Sequence, residues 1–170
     1  MATPPAVVMM GVSGSGKTTI GAALAKRLGV PFRDADGFHP KANVEKMSAG
    51  IPLTDEDRGP WLDAIAAAIR ETPANDGIVV SCSALRKIYR ERIVRSAGRR
   101  VTFVHLDGTK DMIAPRMATR TGHFMPLSLL DSQLATLEPL GPDEPGFRVS
   151  IELPPERIVD AIVERLGQGT

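Results

Sequence analysis

The chain has 170 residues, of which 42% are hydrophobic and 24% are charged, and its formal net charge at pH 7 is +1. This size and composition predict one domain, spanning residues 1–170, with an ordinary hydrophobic core. The near-neutral charge argues against a nucleic-acid partner, because domains that bind nucleic acids usually carry a strong basic excess. We expect a cytoplasmic enzyme that acts on a small molecule and has no membrane partner, since no apolar run in the sequence approaches the length of a membrane span.

Short apolar runs alternate along the chain with segments of helical periodicity. This alternation predicts an α/β fold with a parallel sheet that is covered by helices on both faces. Five strands are predicted, at residues 6–10, 31–34, 78–81, 101–106 and 149–152. Helices are predicted before Gly29, from Pro60 onward, at 85–97 and at 155–166. The stretches 36–59 and 120–145 lack a clear period and are expected to be irregular.

Residues 11–18 read Gly-Val-Ser-Gly-Ser-Gly-Lys-Thr, a complete G-x-x-x-x-G-K-[ST] string directly after the first predicted strand. With a strand before it and a helix after it, such a string forms a loop whose backbone N–H groups face phosphate oxygens. The lysine then adds charge at the β and γ phosphates, and the threonine offers a hydroxyl to Mg²⁺. The sequence therefore predicts a nucleoside triphosphate site made by Gly11, Ser13, Gly14, Ser15, Gly16, Lys17, Thr18 and Thr19.

Other classes of P-loop protein fit less well. The D-x-x-G string at 34–37 suits a GTPase switch, but it follows Lys17 by only 17 residues, and neither Asn43 nor Asn75 begins an N-K-x-D guanine-reading string. A motor or transporter ATPase would need further subdomains, which 170 residues scarcely accommodate. A small phosphoryl-transfer kinase fits best.

Asp34 and Asp36 stand two residues apart at the end of the second predicted strand. This spacing places them on one face, where they reach the crevice at the carboxyl edge of the sheet. One carboxylate can serve the metal and the other an acceptor hydroxyl. Either of them could instead cap the next helix.

Several strings together resemble the small gluconokinase family. Beyond residues 11–18 they are D-A-D-G-F-H-P at 34–40, N-V-E-K-M at 43–47, P-L-T-D-E-D-R-G-P-W-L at 52–62, S-C-S-A-L-R-K-I-Y-R at 81–90 and R-M-A-T-R-T-G-H-F at 116–124. The segments around His39, Trp61 and His123 are the most specific. One departure is Arg86, where relatives often carry Lys, which keeps the charge but changes the donor geometry.

The resemblance implies ATP-dependent phosphorylation of D-gluconate to 6-phosphogluconate. It also implies a three-layer P-loop NTPase fold, similar to nucleoside monophosphate and shikimate kinases, with a mobile lid, and a homodimer. By analogy with the shikimate kinase pattern, Asp34 belongs to the Mg²⁺ water shell, and Asp36 acts on the acceptor hydroxyl as a base or orienting group.

Gluconate is an anion with five hydroxyls, so its pocket needs a cation and short polar groups. The candidates are His39, Arg58, Ser83 and Arg86. A lone histidine is more often structural, and Arg58 could simply pair with the acids that precede it. Most of the seven basic residues in 86–100 are expected on a solvated helix face, so only Arg86 and, more weakly, Arg90 are site candidates.

Residues 116–140 are predicted to form the lid. Arg116 and Arg120 are four residues apart and would be neighbours on one helix face. Arg120 is expected to meet the triphosphate during transfer, Arg116 to pack near the adenine, and His123 to reach the phosphate or the substrate. Pro154, after the fifth strand, is expected in the loop that packs the adenine. The alternatives are a surface arginine pair and an ordinary helix entrance.

Two rival functions remain open. Shikimate kinase activity is disfavoured because Ser81-Cys82-Ser83 replaces a Gly-Gly-Gly string after the third strand, whereas a nucleotide-dependent regulatory switch would show slow hydrolysis without an acceptor. Trp61, Cys82 and His105 are interpreted as packing residues.

Overall fold

The computed structural model describes residues 6–12, 14–51, 53–73, 75–118 and 127–168. Its strands are β1 (Ala6–Met10), β2 (Phe32–Asp34), β3 (Ile78–Ser81), β4 (Val101–Asp107) and β5 (Gly146–Ser150). Its helices are α1 (Lys17–Leu28), α2 (Lys41–Ser48), α3 (Asp55–Glu71), α4 (Lys87–Ala97), α5 (Lys110–Ala118), α6 (Leu127–Thr136) and α7 (Pro155–Gln168). A short 3₁₀ helix spans Ala35–Phe38.

The strands form one parallel sheet in the order β2-β3-β1-β4-β5. All five residues of the central strand β1 are buried, because helices cover both faces of the sheet. Val8 packs with α3 and α4 on one face, and Val7 packs with α1, α5, α6 and α7 on the other. The predicted α/β fold with a five-stranded parallel sheet is therefore confirmed.

The last strand is displaced from its predicted position. It covers Gly146–Ser150 rather than residues 149–152. It begins at a glycine, a residue type that usually indicates a turn. A Cβ at Gly146 would overlap the carbonyl oxygen of Phe103 on β4, so only glycine allows the two strands to approach this closely.

The two stretches that were expected to be irregular contain helices. Residues 36–59 hold α2 and the first turn of α3, and 120–145 includes α6. Helix α3 begins at Asp55, with Pro60 inside it, because Thr54 and Asp57 form a capping box: Asp57 N donates to Thr54 Oγ1, and Thr54 N donates to Asp57 Oδ2. Three acidic residues in the first turn also stabilise the helix, because their negative charges interact favourably with the positive end of the helix dipole.

Arg90, the weaker site candidate, is a structural residue in a buried ion pair. Its side chain is 1% exposed and that of Glu144 is 6% exposed. Arg90 Nε and Nη2 donate to the two Glu144 carboxylate oxygens at 2.6 and 3.0 Å. Further bonds from Arg90 reach the carbonyl oxygens of Ala84 and Glu138. The pair ties α4 to the segment that leads into β5.

Replacing Glu144 with Gln is expected to lower the free energy of unfolding by about 3 kcal/mol, because it leaves a buried guanidinium without its counter-charge. Urea denaturation at pH 7 measures this change, with the exposed Glu164→Gln as a control that should stay close to wild type. An equal stability of the two variants would contradict a structural role for the ion pair.

The same ion pair predicts a pH dependence. Arg90 lowers the pKa of Glu144 below its ordinary value. The stabilising contribution is therefore complete above the ordinary glutamate pKa and is lost as the pH falls through the lower pKa of the folded state. The stability difference between wild type and Glu144→Gln should shrink over that acidic range.

Candidate active site

The loop after β1 turns tightly at three glycines. Gly11, Gly14 and Gly16 have φ angles of +150°, +81° and +98°, which L side chains rarely adopt. A Cβ at Gly11 would lie 2.9 Å from Ser15 Oγ and 3.1 Å from the carbonyl oxygen of Leu106. Ser13 lies outside the described residues.

Donors converge on this loop from the start of α1. Lys17 Nζ donates to the carbonyl oxygens of Gly11 and Val12, both at 3.0 Å. Ser15 is 1% exposed, and its Oγ has no hydrogen-bond partner among the described residues. A buried hydroxyl without a partner, beside a lysine and a helix N-terminus, fits an anionic ligand such as a phosphate. Thr19 follows on the exposed face of α1.

Thr18 and Asp34 are brought together from α1 and β2. Thr18 Oγ1 lies 3.4 Å from Asp34 Oδ2, while Asp34 Oδ1 accepts from the N–H of Asp36 at 2.9 Å. Asp34 therefore caps the 3₁₀ helix and also faces the loop threonine. An oxygen pair of this kind suits Mg²⁺, which takes few protein ligands and keeps several waters. No cluster of three His, Cys, Asp or Glu side chains suited to a metal occurs in the described part of the chain.

Asp36 is exposed on the 3₁₀ helix, and its backbone is anchored from α3. Trp61 Nε1 donates to the carbonyl oxygen of Ala35 at 2.7 Å, and Trp61 is 5% exposed. Burial raises the pKa of Cys82 to about 12, so this thiol stays protonated; Lys17 lowers that pKa, and Asp36 raises it. Asp36 is therefore exposed at the end of β2, while the backbone beside it is held by α3.

His39 follows directly after the 3₁₀ helix. Its ring stacks on Trp61 with centroids 4.3 Å apart and an interplanar angle of 11°, and its Nδ1 lies 3.3 Å from Asn43 Nδ2. Burial lowers the pKa of His39, Asp36 raises it and Arg58 lowers it again. Burial of the ring thus favours its neutral form.

Arg58 and Arg86 meet in a cluster with Asp55 and Tyr89, here called the cationic cluster. Arg86 Nη1 donates to Asp55 Oδ2 at 2.8 Å, and Tyr89 Oη donates to Asp55 Oδ1 at 2.6 Å. Arg58 Nη1 donates to Tyr89 Oη at 3.1 Å. Both guanidinium groups lie over the Tyr89 ring, at 5.4 Å for Arg58 and 5.6 Å for Arg86. Two cations thus converge around one exposed carboxylate.

Ser83 lies two residues after the end of β3, beside the phosphate loop. Its carbonyl oxygen accepts from the N–H of Gly11 at 3.3 Å, which ties the turn after β3 to the phosphate loop. The next residue, Ala84, has a φ of +42°, a strained conformation for a residue other than glycine. This sharp turn carries the chain from Ser83 to Arg86 at the start of α4.

Arg116 and Pro154 lie at a separate corner, near the end of β5. Arg116 Nη2 donates to the carbonyl oxygen of Ile151 at 3.0 Å. The carbonyl oxygen of Pro154 accepts the first helical hydrogen bond of α7, from the N–H of Ile158. The structure thus brings these two residues of the predicted adenine site to the same loop, and their roles stay predictions.

A family model described as shikimate kinase matches residues 13–137 of the chain. A gluconokinase of Gluconobacter oxydans is 50% identical over 161 residues, which cover 94% of this chain and 90% of that protein. The chain belongs to the gluconokinase family. The thermoresistant gluconokinase of Escherichia coli is 40% identical over 164 residues, covering 95% of this chain and 93% of that protein. A crystal structure of a gluconokinase from Sinorhizobium meliloti matches with a TM-score of 0.88 at 44% identity, covering 99% of this chain and 94% of that chain.

These comparisons confirm the family resemblance and the P-loop kinase fold. The roles of the individual site residues are proposals. Arg120 and His123 lie outside the described residues. Within the described ranges, no helix is long and apolar enough to cross a bilayer.

The predicted lid range, 116–140, stays a prediction, and its C-terminal part packs against the rest of the fold. Leu130 on α6 is fully buried in the core. The N–H of Glu138 donates to the carbonyl oxygen of Leu85 at 2.7 Å, and Glu138 Oε1 accepts from the N–H of Lys87. These contacts anchor the end of the range to α4 and the sheet, which a Pro- and Gly-rich composition could not reveal.

Sequence reasoning missed three side chains beside the candidate pocket. Tyr89, Asp55 and Asn43 are given no role in the site by the sequence analysis. Two spacings could have indicated the contacts: Asp55 precedes Arg58 by three residues on α3, and Arg86 precedes Tyr89 by three at the start of α4.

Proposed function

We propose that this kinase transfers the γ-phosphoryl group of ATP to D-gluconate, giving 6-phospho-D-gluconate. The observation that carries this function is a phosphate loop that is tied through the turn after β3 to the start of α4, where two arginines converge, in a chain that is 50% identical to a gluconokinase. A phosphate loop alone would suit any triphosphate-using protein, whereas the cationic cluster suits an acceptor that carries a carboxylate.

The donor half is built from the phosphate loop and α1. We propose that the loop N–H groups and Ser15 hold the phosphates, and that Lys17 leaves the carbonyl oxygens of Gly11 and Val12 to meet the β and γ phosphates. Thr18 and Asp34 would hold Mg²⁺, Asp34 through water. When bound, the ion neutralises charge that develops on the transferred group. Arg116 and Pro154 are proposed to flank the adenine.

The acceptor half lies beside the end of β2. Asp36 is proposed to orient the acceptor hydroxyl or take its proton, because its carboxylate is exposed and makes no hydrogen bond to another described residue. Arg58 and Arg86 are proposed to bind the gluconate carboxylate. His39 and Ser83 are proposed to bind its hydroxyl groups. Since Asp55 already engages both arginines, the substrate carboxylate must share or displace this contact.

Closure of the predicted lid over the bound substrates completes the proposed mechanism. Arg120 would stabilise the charge on the phosphoryl group in the transition state, and His123 would approach the phosphate or the substrate. The reason to propose closure is chemical, since water competes with gluconate as an acceptor unless it is excluded. A homodimer in the cytoplasm is the proposed working form, and its support is the family resemblance.

A coupled assay of ADP release tests this function. We expect release that depends on added gluconate, with no comparable response to shikimate, gluconate analogues or nucleoside monophosphates. Slow release that is independent of any acceptor would favour the regulatory switch, and release with shikimate alone would favour the shikimate kinase alternative. A chain that ignores gluconate would overturn the proposal.

A further inference from the structure

The ring of His39 is held by two neutral side chains. Trp61 stacks on one face, at 4.3 Å between ring centroids. Asn43, which is 3% exposed on the first turn of α2, reaches Nδ1 with its amide nitrogen. Among the described residues, no hydrogen bond engages Nε2. One ring nitrogen is therefore committed to the protein, and the other is open to a ligand.

The orientation of the Asn43 amide follows from its second partner. Asn43 Nδ2 lies 2.9 Å from the carbonyl oxygen of Asp57 on α3. A carbonyl oxygen can only accept, so the atom that faces it must be the amide nitrogen and not the amide oxygen. The same nitrogen faces His39 Nδ1, and it can only donate there.

A nitrogen that accepts a hydrogen bond carries no proton. We propose that Asn43 is a positioning residue that holds His39 as the neutral tautomer with its proton on Nε2. The ring then presents a hydrogen-bond donor to a hydroxyl oxygen of the acceptor sugar acid, and this last clause rests on the proposed function.

The charged groups around His39 agree with this assignment. Burial and Arg58 on α3 lower the pKa of His39, against the opposing effect of Asp36 on the 3₁₀ helix. The carboxylate of Asp57 is engaged elsewhere, by Lys46 on α2 and by the capped N-terminus of α3. An amide at position 43 therefore meets a neutral ring, whereas a carboxylate there would attract a proton to Nδ1.

The test is an NMR titration of the imidazole nitrogens in the full chain without substrate, with His39 assigned from a His39→Gln sample. We expect the neutral wild-type ring to show an unprotonated Nδ1 and a protonated Nε2. In Asn43→Asp, the pKa of His39 should rise above the wild-type value, and Nδ1 should keep its proton when the ring becomes neutral. Asn75→Asp, at the other asparagine and exposed, should match wild type.

Kinetics supply a second readout. In Asn43→Asp, the protonated His39 ring still donates a hydrogen bond from Nε2. The neutral ring, with its proton on Nδ1, can only accept a hydrogen bond at Nε2. Gluconate kcat/KM should therefore fall, by about tenfold, as the pH rises through the raised pKa of His39. Wild type and Asn75→Asp should show no such fall over the same range.

Two results would overturn the inference: a neutral wild-type ring protonated on Nδ1, or an Asn43→Asp ring that titrates like wild type. The His39 tautomer measured in the wild-type protein tests the inference even if Asn43→Asp does not fold. Because the titration needs no substrate, an enzyme that ignores gluconate but shows the Nε2–H tautomer would overturn the proposed function and support the positioning role of Asn43.

Discussion

Replacing Asp36 with Asn is expected to lower kcat by about 10²- to 10⁴-fold, the usual contribution of a general base or an orienting carboxylate. The amide keeps the size of the side chain but removes the charge and the proton-accepting oxygen. Asp36 is exposed on a 3₁₀ helix whose N-cap is Asp34, and that cap uses the backbone N–H of Asp36 and not its carboxylate. The substitution should therefore leave the local fold intact.

The measurement is steady-state kinetics with ATP and gluconate, together with thermal unfolding. Asp76→Asn is the matched control. Asp76 is exposed and lies before the amino end of β3, whereas Asp36 lies after the carboxyl end of β2. Near-normal turnover in Asp36→Asn, with an unchanged unfolding temperature, would remove Asp36 from the mechanism.

Replacing Lys17 with Ala should lower kcat by about 10²- to 10³-fold, the typical cost of removing one donor that stabilises charge in a transition state. In the structure Lys17 spans the loop through bonds to two carbonyl oxygens. With triphosphate bound, the ammonium group gains its strongest partners as charge moves onto the leaving phosphate. The effect on kcat should therefore exceed the effect on ATP affinity.

Single-turnover kinetics and equilibrium binding of ATP separate the two effects. Lys26→Ala, at the exposed far end of the same helix, is the control and should behave like wild type. A loss of ATP affinity with an unchanged kcat would mean that Lys17 binds the ground state and the transition state alike.

The cationic cluster illustrates what lay beyond the reach of sequence reasoning. Arg58 and Arg86 could be proposed singly because each is a cation in a motif. Their convergence depends on α3 packing against α4, which places Asp55 between Arg86 and Tyr89. Likewise, the buried position of Arg90 depends on Glu144, 54 residues away along the chain. A periodic pattern on one helix carries no information about such a partner.

The identity of the phosphate site was readable from the chain alone, because the glycines, the lysine and the threonine all lie within residues 11–18 and their geometry is local. The same holds for the central strands, whose apolar runs reflect burial on both faces. The tertiary structure decided the start of β5, the anchoring of α6, the partners of Arg90 and the contact between Asn43 and His39. Each of these depends on the approach of segments that are distant in sequence or lie on different elements, and packing alone brings such segments together.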